Sequence, residues 1–157
     1  LGSLQVLRLD SNQLTSVPRE LGQLGSLQTL RLHSNQLTSV PPALGQLGSL
    51  QTLGLHSNQL TSVPPELGQL GSLQTLALSS NQLMSVPAQL AELSQLQQLS
   101  IDPASIQRHL KNRRMSTATM QRLLKWLQGE CLGEVNGISG LLCLSKVHLD
   151  LVLGLPR

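Results

Sequence analysis

Two fifteen-residue stretches of this 157-residue chain are almost the same. The stretch at 27–41 reads LQTLRLHSNQLTSVP, and the stretch at 50–64 reads LQTLGLHSNQLTSVP, 23 residues further on. A fixed period of about 20–50 residues is typical of stacked repeats, because one short repeat cannot bury its own apolar side chains. The repetition therefore predicts an elongated solenoid.

The period extends over four copies and a fading fifth. The copies begin at Leu1, Leu24, Leu47, Leu70 and Leu93. Each full copy reads L-x-x-L-x-x-L-x-L-x-x-N-x-L-x-x-V-P-x-x-L-x-x. Within a copy, Leu30 and Leu32 alternate with polar residues, which is the two-residue period of a strand with one buried face. Stacked copies would pair these strands in parallel and join their leucines into one core over residues 1–102.

This pattern resembles the leucine-rich-repeat family. The 23-residue length, with a Val-Pro pair in each full copy, resembles the intracellular, Ras-group-related type of repeat. The prolines are Pro18, Pro41, Pro64 and Pro87. The resemblance implies an α/β fold, a right-handed horseshoe segment with a concave parallel sheet. We expect each proline to open a short helix or turn on the convex side.

One column of the alignment holds asparagine in every full copy. Its members are Asn12, Asn35, Asn58 and Asn81. The chain turns off the strand there, and buried backbone groups at such a turn need hydrogen-bond partners. Because an amide side chain both donates and accepts, we predict a structural asparagine ladder.

The outward residues of the strands form columns on the concave face, where solenoids usually bind their partners. The predicted partner-binding residues are Arg8, Asp10, Thr29, Arg31, His33, Thr52, His56, Thr75 and Ser79. Arg8 and Arg31 are placed for an acidic group of a partner. The alternative is that these polar residues only keep the surface soluble. Phe and Tyr are absent from the chain, so the aromatic anchors usual at tight interfaces are lacking.

One of these columns contains Asp10, His33, His56 and Ser79. Histidine and aspartate ligate metals, and Ser, His and Asp can form a nucleophilic triad. Neighbouring strands, however, hold equivalent side chains parallel rather than converging on one point. We therefore predict no catalytic site, no metal site and no cofactor, and interpret the histidines as solvated or partner-contacting.

The repeat pattern ends after residue 102, where Ala104 replaces the asparagine. Residues 103–129 are predicted to form a helical C-terminal cap, since apolar side chains recur there with helical spacing. They are Met120, Leu123, Leu124 and Leu127. Residues 130–157 show no period and are interpreted as a tail, or one or two strands. Cys131 and Cys143 both lie there, and two cysteines permit one disulfide without demanding it.

Charge is distributed unevenly along the chain. Residues 1–102 carry three basic and five acidic side chains, whereas residues 103–157 carry eight basic and three acidic ones. The basic cap is interpreted as a solvated helix face or as a weak contact with an anionic surface. No nucleic-acid-binding motif accompanies it, so a nucleic-acid partner is not expected.

The sequence predicts a non-catalytic module that binds a protein partner. The alternative is a regulatory or sensing arm of a larger signalling protein, such as a kinase, GTPase-linked or receptor-like chain, since Leu1 falls mid-pattern. No apolar run is long enough to predict a transmembrane segment. The absence of Asn-x-Ser/Thr sites and of cysteines in the repeats favours the cytoplasm, and an extracellular location remains the alternative.

Overall fold

The structure, a computed structural model, describes residues 3–102. Five strands alternate with four 3-10 helices. The strands are β1 Val6–Arg8, β2 Thr29–Arg31, β3 Thr52–Gly54, β4 Thr75–Ala77 and β5 Gln98–Ser100. The 3-10 helices are η1 Arg19–Gln23, η2 Pro42–Gln46, η3 Pro65–Gln69 and η4 Ala88–Glu92. The predicted cap at 103–129 and tail at 130–157 lie outside the described residues.

The five strands form one parallel sheet in chain order. Each residue pairs with the residue one period later, as Leu30 does with Leu53. Backbone hydrogen bonds continue past the strands, and the Leu32 amide donates to the Gly54 carbonyl at 2.8 Å. The predicted solenoid with a parallel sheet is confirmed.

The core is built from leucines that only stacking can bury. Leu30 and Leu32 have no exposed surface, as predicted from their alternation with polar residues. The leucines of the first coil and the first leucine of the second coil are only partly buried; they are Leu4, Leu7, Leu9, Leu14, Leu21 and Leu24. Burying one leucine contributes about 1.5–3 kcal/mol. Most of the stability therefore comes from the contacts between coils.

The chain returns along the convex side through 3-10 helices of five residues each. Each follows a proline in an extended conformation, such as Pro41 with φ −70° and ψ 141°. The η2 helix begins at Pro42, where the missing amide hydrogen loses no intrahelical bond. Within the described part of the chain, no helix has the length and apolar character needed to cross a membrane.

Glycine allows neighbouring 3-10 helices to pack closely on the convex side. A Cβ atom on Gly45 would lie 2.3 Å from the carbonyl oxygen of Glu66 in the next coil. The same conflict would arise at Gly22 and Gly68. By contrast, a Cβ atom on Gly48 would meet nothing within 4 Å. The two glycines of each LGQLG motif therefore have different roles, and only the first is required by packing.

Candidate functional site

The concave face consists of the outward side chains of the strands and of the residues directly after them. All nine predicted partner-binding residues lie on it. Parallel register aligns Thr29, Thr52 and Thr75 in one column. Each of these threonines is half-buried, so together they form an uncharged polar row across three coils.

The middle column begins with two arginines, Arg8 and Arg31, which pair in register on neighbouring strands. Within residues 3–102 neither has an ion pair or a hydrogen bond through its side chain. The next two positions of the column are Gly54 and Ala77. The column therefore changes from two long cationic side chains to two positions with little or no side chain. We call Gly54 and Ala77 the floor of the concave face.

Two histidines of neighbouring coils lie side by side on the concave face. His33 and His56 stack with ring centroids 4.3 Å apart and an angle of 13° between the ring planes. The spacing of neighbouring strands, about 4.8 Å, brings equivalent rings into this arrangement. On the other side of the stack, His33 Nε2 lies 3.7 Å from Asp10 Oδ2. Only 21% of the His33 side chain is exposed, so this histidine is half-buried rather than fully solvated.

The surroundings of His56 oppose its protonation. Partial burial lowers the pKa of His56, a positive charge on His33 lowers it further, and Asp10 acts in the opposite direction. His56 Nδ1 is also shielded from solvent and has no hydrogen-bond partner. The stack therefore favours a neutral His56. Among residues 3–102, no group of three or more His, Cys, Asp or Glu side chains could hold a metal ion.

The asparagine column joins each coil to the one before it. Asn35 Nδ2 donates to the Leu32 carbonyl in its own coil at 3.0 Å and to the Leu9 carbonyl in the preceding coil at 2.9 Å. Asn35 Oδ1 accepts from the Leu14 amide at 3.0 Å. One side chain thus satisfies backbone groups in two coils.

Asn58 and Asn81 repeat this arrangement. Asn12 bonds carbonyls two and three residues before it, at 3.0 and 3.1 Å, in its own coil. At the other end of the described chain, the backbone N–H of Asn81 donates to Asp102 Oδ2 at 3.3 Å. The ladder therefore runs between the coils as well as within them.

Sequence reasoning missed the serines that precede the asparagines. They adopt the left-handed region with φ of 55–56°, and they are Ser11, Ser34, Ser57 and Ser80. Side chains other than glycine rarely adopt this conformation without strain. The only sequence signal was a serine at a fixed place before each asparagine. These serines sharpen the turn that ends each strand and so fix the edge of the concave face.

Comparison with known proteins agrees with this geometry. The family described as leucine-rich repeat region matches residues 1–128. A solved structure of a leucine-rich-repeat protein from Leptospira interrogans is 40% identical, with a TM-score of 0.60. The alignment covers 69% of this chain and 30% of that protein's chain. No curated protein matches the sequence. With most of its length matched by the family and its coils stacked in register, this chain belongs to the leucine-rich-repeat family.

Proposed function

We propose that this chain is a non-catalytic module that binds a protein partner on its concave face. Leucine-rich repeats generally mediate protein–protein interactions, and the family is generally non-enzymatic. The observation that carries the proposal is the alignment of outward side chains from successive coils in register on one face. Such a regular, open surface can contact a partner over several coils at once.

The test places bulk and charge on the concave face and compares it with an equal change elsewhere. One variant combines Thr52→Glu with Thr75→Glu on the concave face. The control combines Gln46→Glu with Gln69→Glu, which are exposed residues at the ends of η2 and η3. Partners are captured from a lysate of the source cells and identified by mass spectrometry. We expect the concave variant to lose partners that the control retains.

The control variant has the same added charge, so general electrostatic effects are matched. Far-UV circular dichroism and the thermal midpoint show whether both variants remain folded. Equal recovery of partners by the folded concave variant and the wild type would contradict the proposal. Loss from the control alone would assign binding to the convex side.

A second candidate is a regulatory or sensing arm of a larger signalling protein. It is supported by the fact that the chain spans 30% of the length of the solved relative from Leptospira interrogans. A longer protein would place this solenoid beside other domains. The open reading frame that encodes the chain tests this candidate, because it must continue into a kinase, GTPase-linked or receptor domain.

Two further proposals concern the cellular location of the protein and its contact with anionic surfaces. The sequence favours a cytoplasmic location, which fluorescence microscopy of the tagged full-length gene product would test. The basic residues of 103–129 are proposed to make a weak contact with anionic surfaces. Sedimentation with anionic vesicles tests that contact, which should weaken strongly as salt is raised.

A further inference from the structure

We propose that the arginine pair, Arg8 and Arg31, binds a carboxylate-rich segment of the protein partner. This inference rests on the proposed function, because it names the partner chemistry that the concave face would recognise. It is carried by the position and charge of the two side chains and by the shape of the face beside them.

The arginine pair holds two positive charges together without compensation. Arg8 and Arg31 are directly opposite in register on parallel strands, about 4.8 Å apart at the backbone. Like charges in this arrangement repel each other. In the part of the chain that the structure describes, no carboxylate lies within ion-pairing distance of either. Arg19 differs, since it lies 3.6 Å from Glu20.

Asp10 is the nearest acidic residue along the strand direction, two positions after Arg8 on the same face. Its Oδ2 atom, however, lies beside His33 Nε2 at 3.7 Å, and no arginine is within 4.0 Å of it. Asp10 therefore belongs to the histidine stack and leaves the arginine pair available. A carboxylate from outside could accept hydrogen bonds from both guanidinium groups and remove their repulsion.

The floor beside the arginine pair allows a partner backbone to come close. Gly54 and Ala77 continue the same column with almost no side-chain bulk. The His33 ring borders this floor, since a Cβ atom on Gly54 would lie 3.6 Å from His33 Cδ2. Thr52 borders it from the neighbouring column. An extended segment lying across the strands can therefore rest on the floor while its acidic side chains reach the arginines.

The charge of the whole repeat region favours a short acidic segment over an extended polyanion. In residues 1–102, three basic and five acidic side chains give a net charge of −2, which disfavours contact of this region with an extended polyanion, whereas two local cations can still hold one or two carboxylates. The occupant is therefore a peptide segment with carboxylate side chains.

The test measures binding of a fluorescein-labelled octaglutamate peptide to the full chain by fluorescence anisotropy. We expect Arg31→Glu to raise the Kd about tenfold, because the substitution removes an attractive contact and adds a repulsive one. The matched control, Arg19→Glu, makes the same change in net charge on the convex side, where Arg19 forms an ion pair with Glu20. It should alter the Kd by less than about twofold.

A second variant tests whether Arg31→Glu acts only through loss of structure. A third tests whether the peptide binds to the basic residues of 103–129 instead. Arg31→Gln removes the charge but keeps a shorter polar side chain, and it should raise the Kd about threefold. A triple variant, Lys111→Gln with Arg113→Gln and Arg114→Gln, removes three positive charges from residues 103–129. Retained peptide binding in the triple variant, with loss in both Arg31 variants, supports the proposal. The opposite pattern overturns it.

Two competitors separate the sources of negative charge. Phosphatidylserine vesicles and a single-stranded oligonucleotide are tested for displacement of the peptide from wild type and from the Arg31 variants. If either binds through Arg31 while octaglutamate does not, the proposal is overturned. If octaglutamate binding is indifferent to Arg31, yet the Thr52 and Thr75 variant still loses its captured partners, only this inference fails and the proposed function stands.

Discussion

Asn58 connects two coils through a single amide group. Its Nδ2 atom donates to the carbonyls of Leu32 and Leu55, both at 3.0 Å, and its Oδ1 atom accepts from the buried Leu37 amide at 3.0 Å. We expect Asn58→Ala to lower the free energy of unfolding by about 3 kcal/mol, because several buried polar groups lose partners. Asn12→Ala should cost about 1 kcal/mol or less, since Asn12 is exposed.

Urea unfolding followed by far-UV circular dichroism measures both variants. Similar losses for Asn58→Ala and Asn12→Ala would contradict an intercoil role, because only Asn58 reaches into the preceding coil. The sequence was sufficient to identify this column as a ladder. It could not reveal that Asn35, Asn58 and Asn81 bond backward along the solenoid, since that depends on the direction in which the coils stack.

Ser57 has a φ of 56°, which strains the backbone of a residue other than glycine, and substitution by glycine should relieve that strain. Ser57→Gly removes a strain of about 1–2 kcal/mol but adds flexibility to the unfolded chain worth about 0.4–1 kcal/mol. Ser62→Gly, at an exposed serine without positive φ, adds only the flexibility. We therefore expect Ser57→Gly to unfold with a free energy about 1 kcal/mol higher than that of Ser62→Gly. Equal calorimetric stability of the two variants would exclude the strain.

The strained serines could not be predicted, and the reason is physical. Positive φ is usually announced by glycine or asparagine, and here it falls on serine directly before an asparagine. The histidine stack was also beyond the sequence. Alternation placed His33 and His56 on one face, but ring planes are set by side-chain rotamers, which the two-residue period does not determine.

His56 links stability to pH. Burial lowers its pKa below the ordinary value of 6.5, so below that pH the unfolded chain binds more protons than the folded chain. The contribution of His56 to stability is therefore present above about pH 6.5 and is lost as the pH falls. We expect the thermal midpoint of His56→Gln to fall less than that of wild type between about pH 7.5 and 5.5.

Histidine ring resonances followed by NMR across the same pH range give the His56 midpoint directly. A midpoint at or above 6.5 would contradict the assigned effect of burial and of the neighbouring His33 charge. The comparison between wild type and variant is needed because the chain contains three other histidines.

On the scale of elements, the packing of the 3-10 helices depends on one glycine in each. Gly45→Ala would place a methyl group 2.3 Å from the Glu66 carbonyl oxygen and force η2 and η3 apart. We expect this change to lower the free energy of unfolding by about 2–3 kcal/mol. Gly48→Ala meets no atom within 4 Å and should leave stability unchanged or raise it by up to about 1 kcal/mol.

The same urea titration serves for this pair of variants. If both variants lose stability equally, the need for glycine at positions 45 and 48 comes from backbone flexibility and not from close packing of the 3-10 helices. The chain already contains a substitution of this kind, because the fifth copy has Ser94 where earlier copies have the second glycine.

Elements were predicted unequally well. The alternation of leucine with polar residues predicted the strands, because burial of one face imposes a two-residue period. The convex segments were predicted only as short helices or turns, and they are 3-10 helices. Each segment has only five residues, and so short a sequence shows too little periodicity to separate 3-10 from α geometry.

For the whole molecule, the repeat predicts that coils can be removed in whole units. Deletion of residues 47–69 removes one 23-residue period and joins Gln46 to Leu70, as Gln46 is joined to Leu47 in the intact chain. We expect this variant to fold with a smaller unfolding enthalpy, because one coil and one interface are missing. Deletion of 47–68 shifts the following coils by one residue and should prevent cooperative folding.

Differential scanning calorimetry distinguishes the two deletions. A cooperative transition for the 22-residue deletion, like that of the 23-residue deletion, would contradict the strict register of the sheet. On this scale the sequence was sufficient to predict the solenoid, since the period alone dictates stacking. It could not name the partner, because the small polar residues of the concave face suit many surfaces.

The near identity of the coils also affects how the chain finds its native arrangement. The buried position of β2, β3 and β4 is leucine in each case, so β2 can align with β4 while the extra 23-residue coil that contains β3 loops out. Loop-closure entropy rises only slowly with length, by about 0.6 kcal/mol per doubling, and therefore discriminates weakly against this misalignment. We expect skipped-coil species of this kind to act as kinetic traps, since they expose leucine side chains through which separate chains can associate.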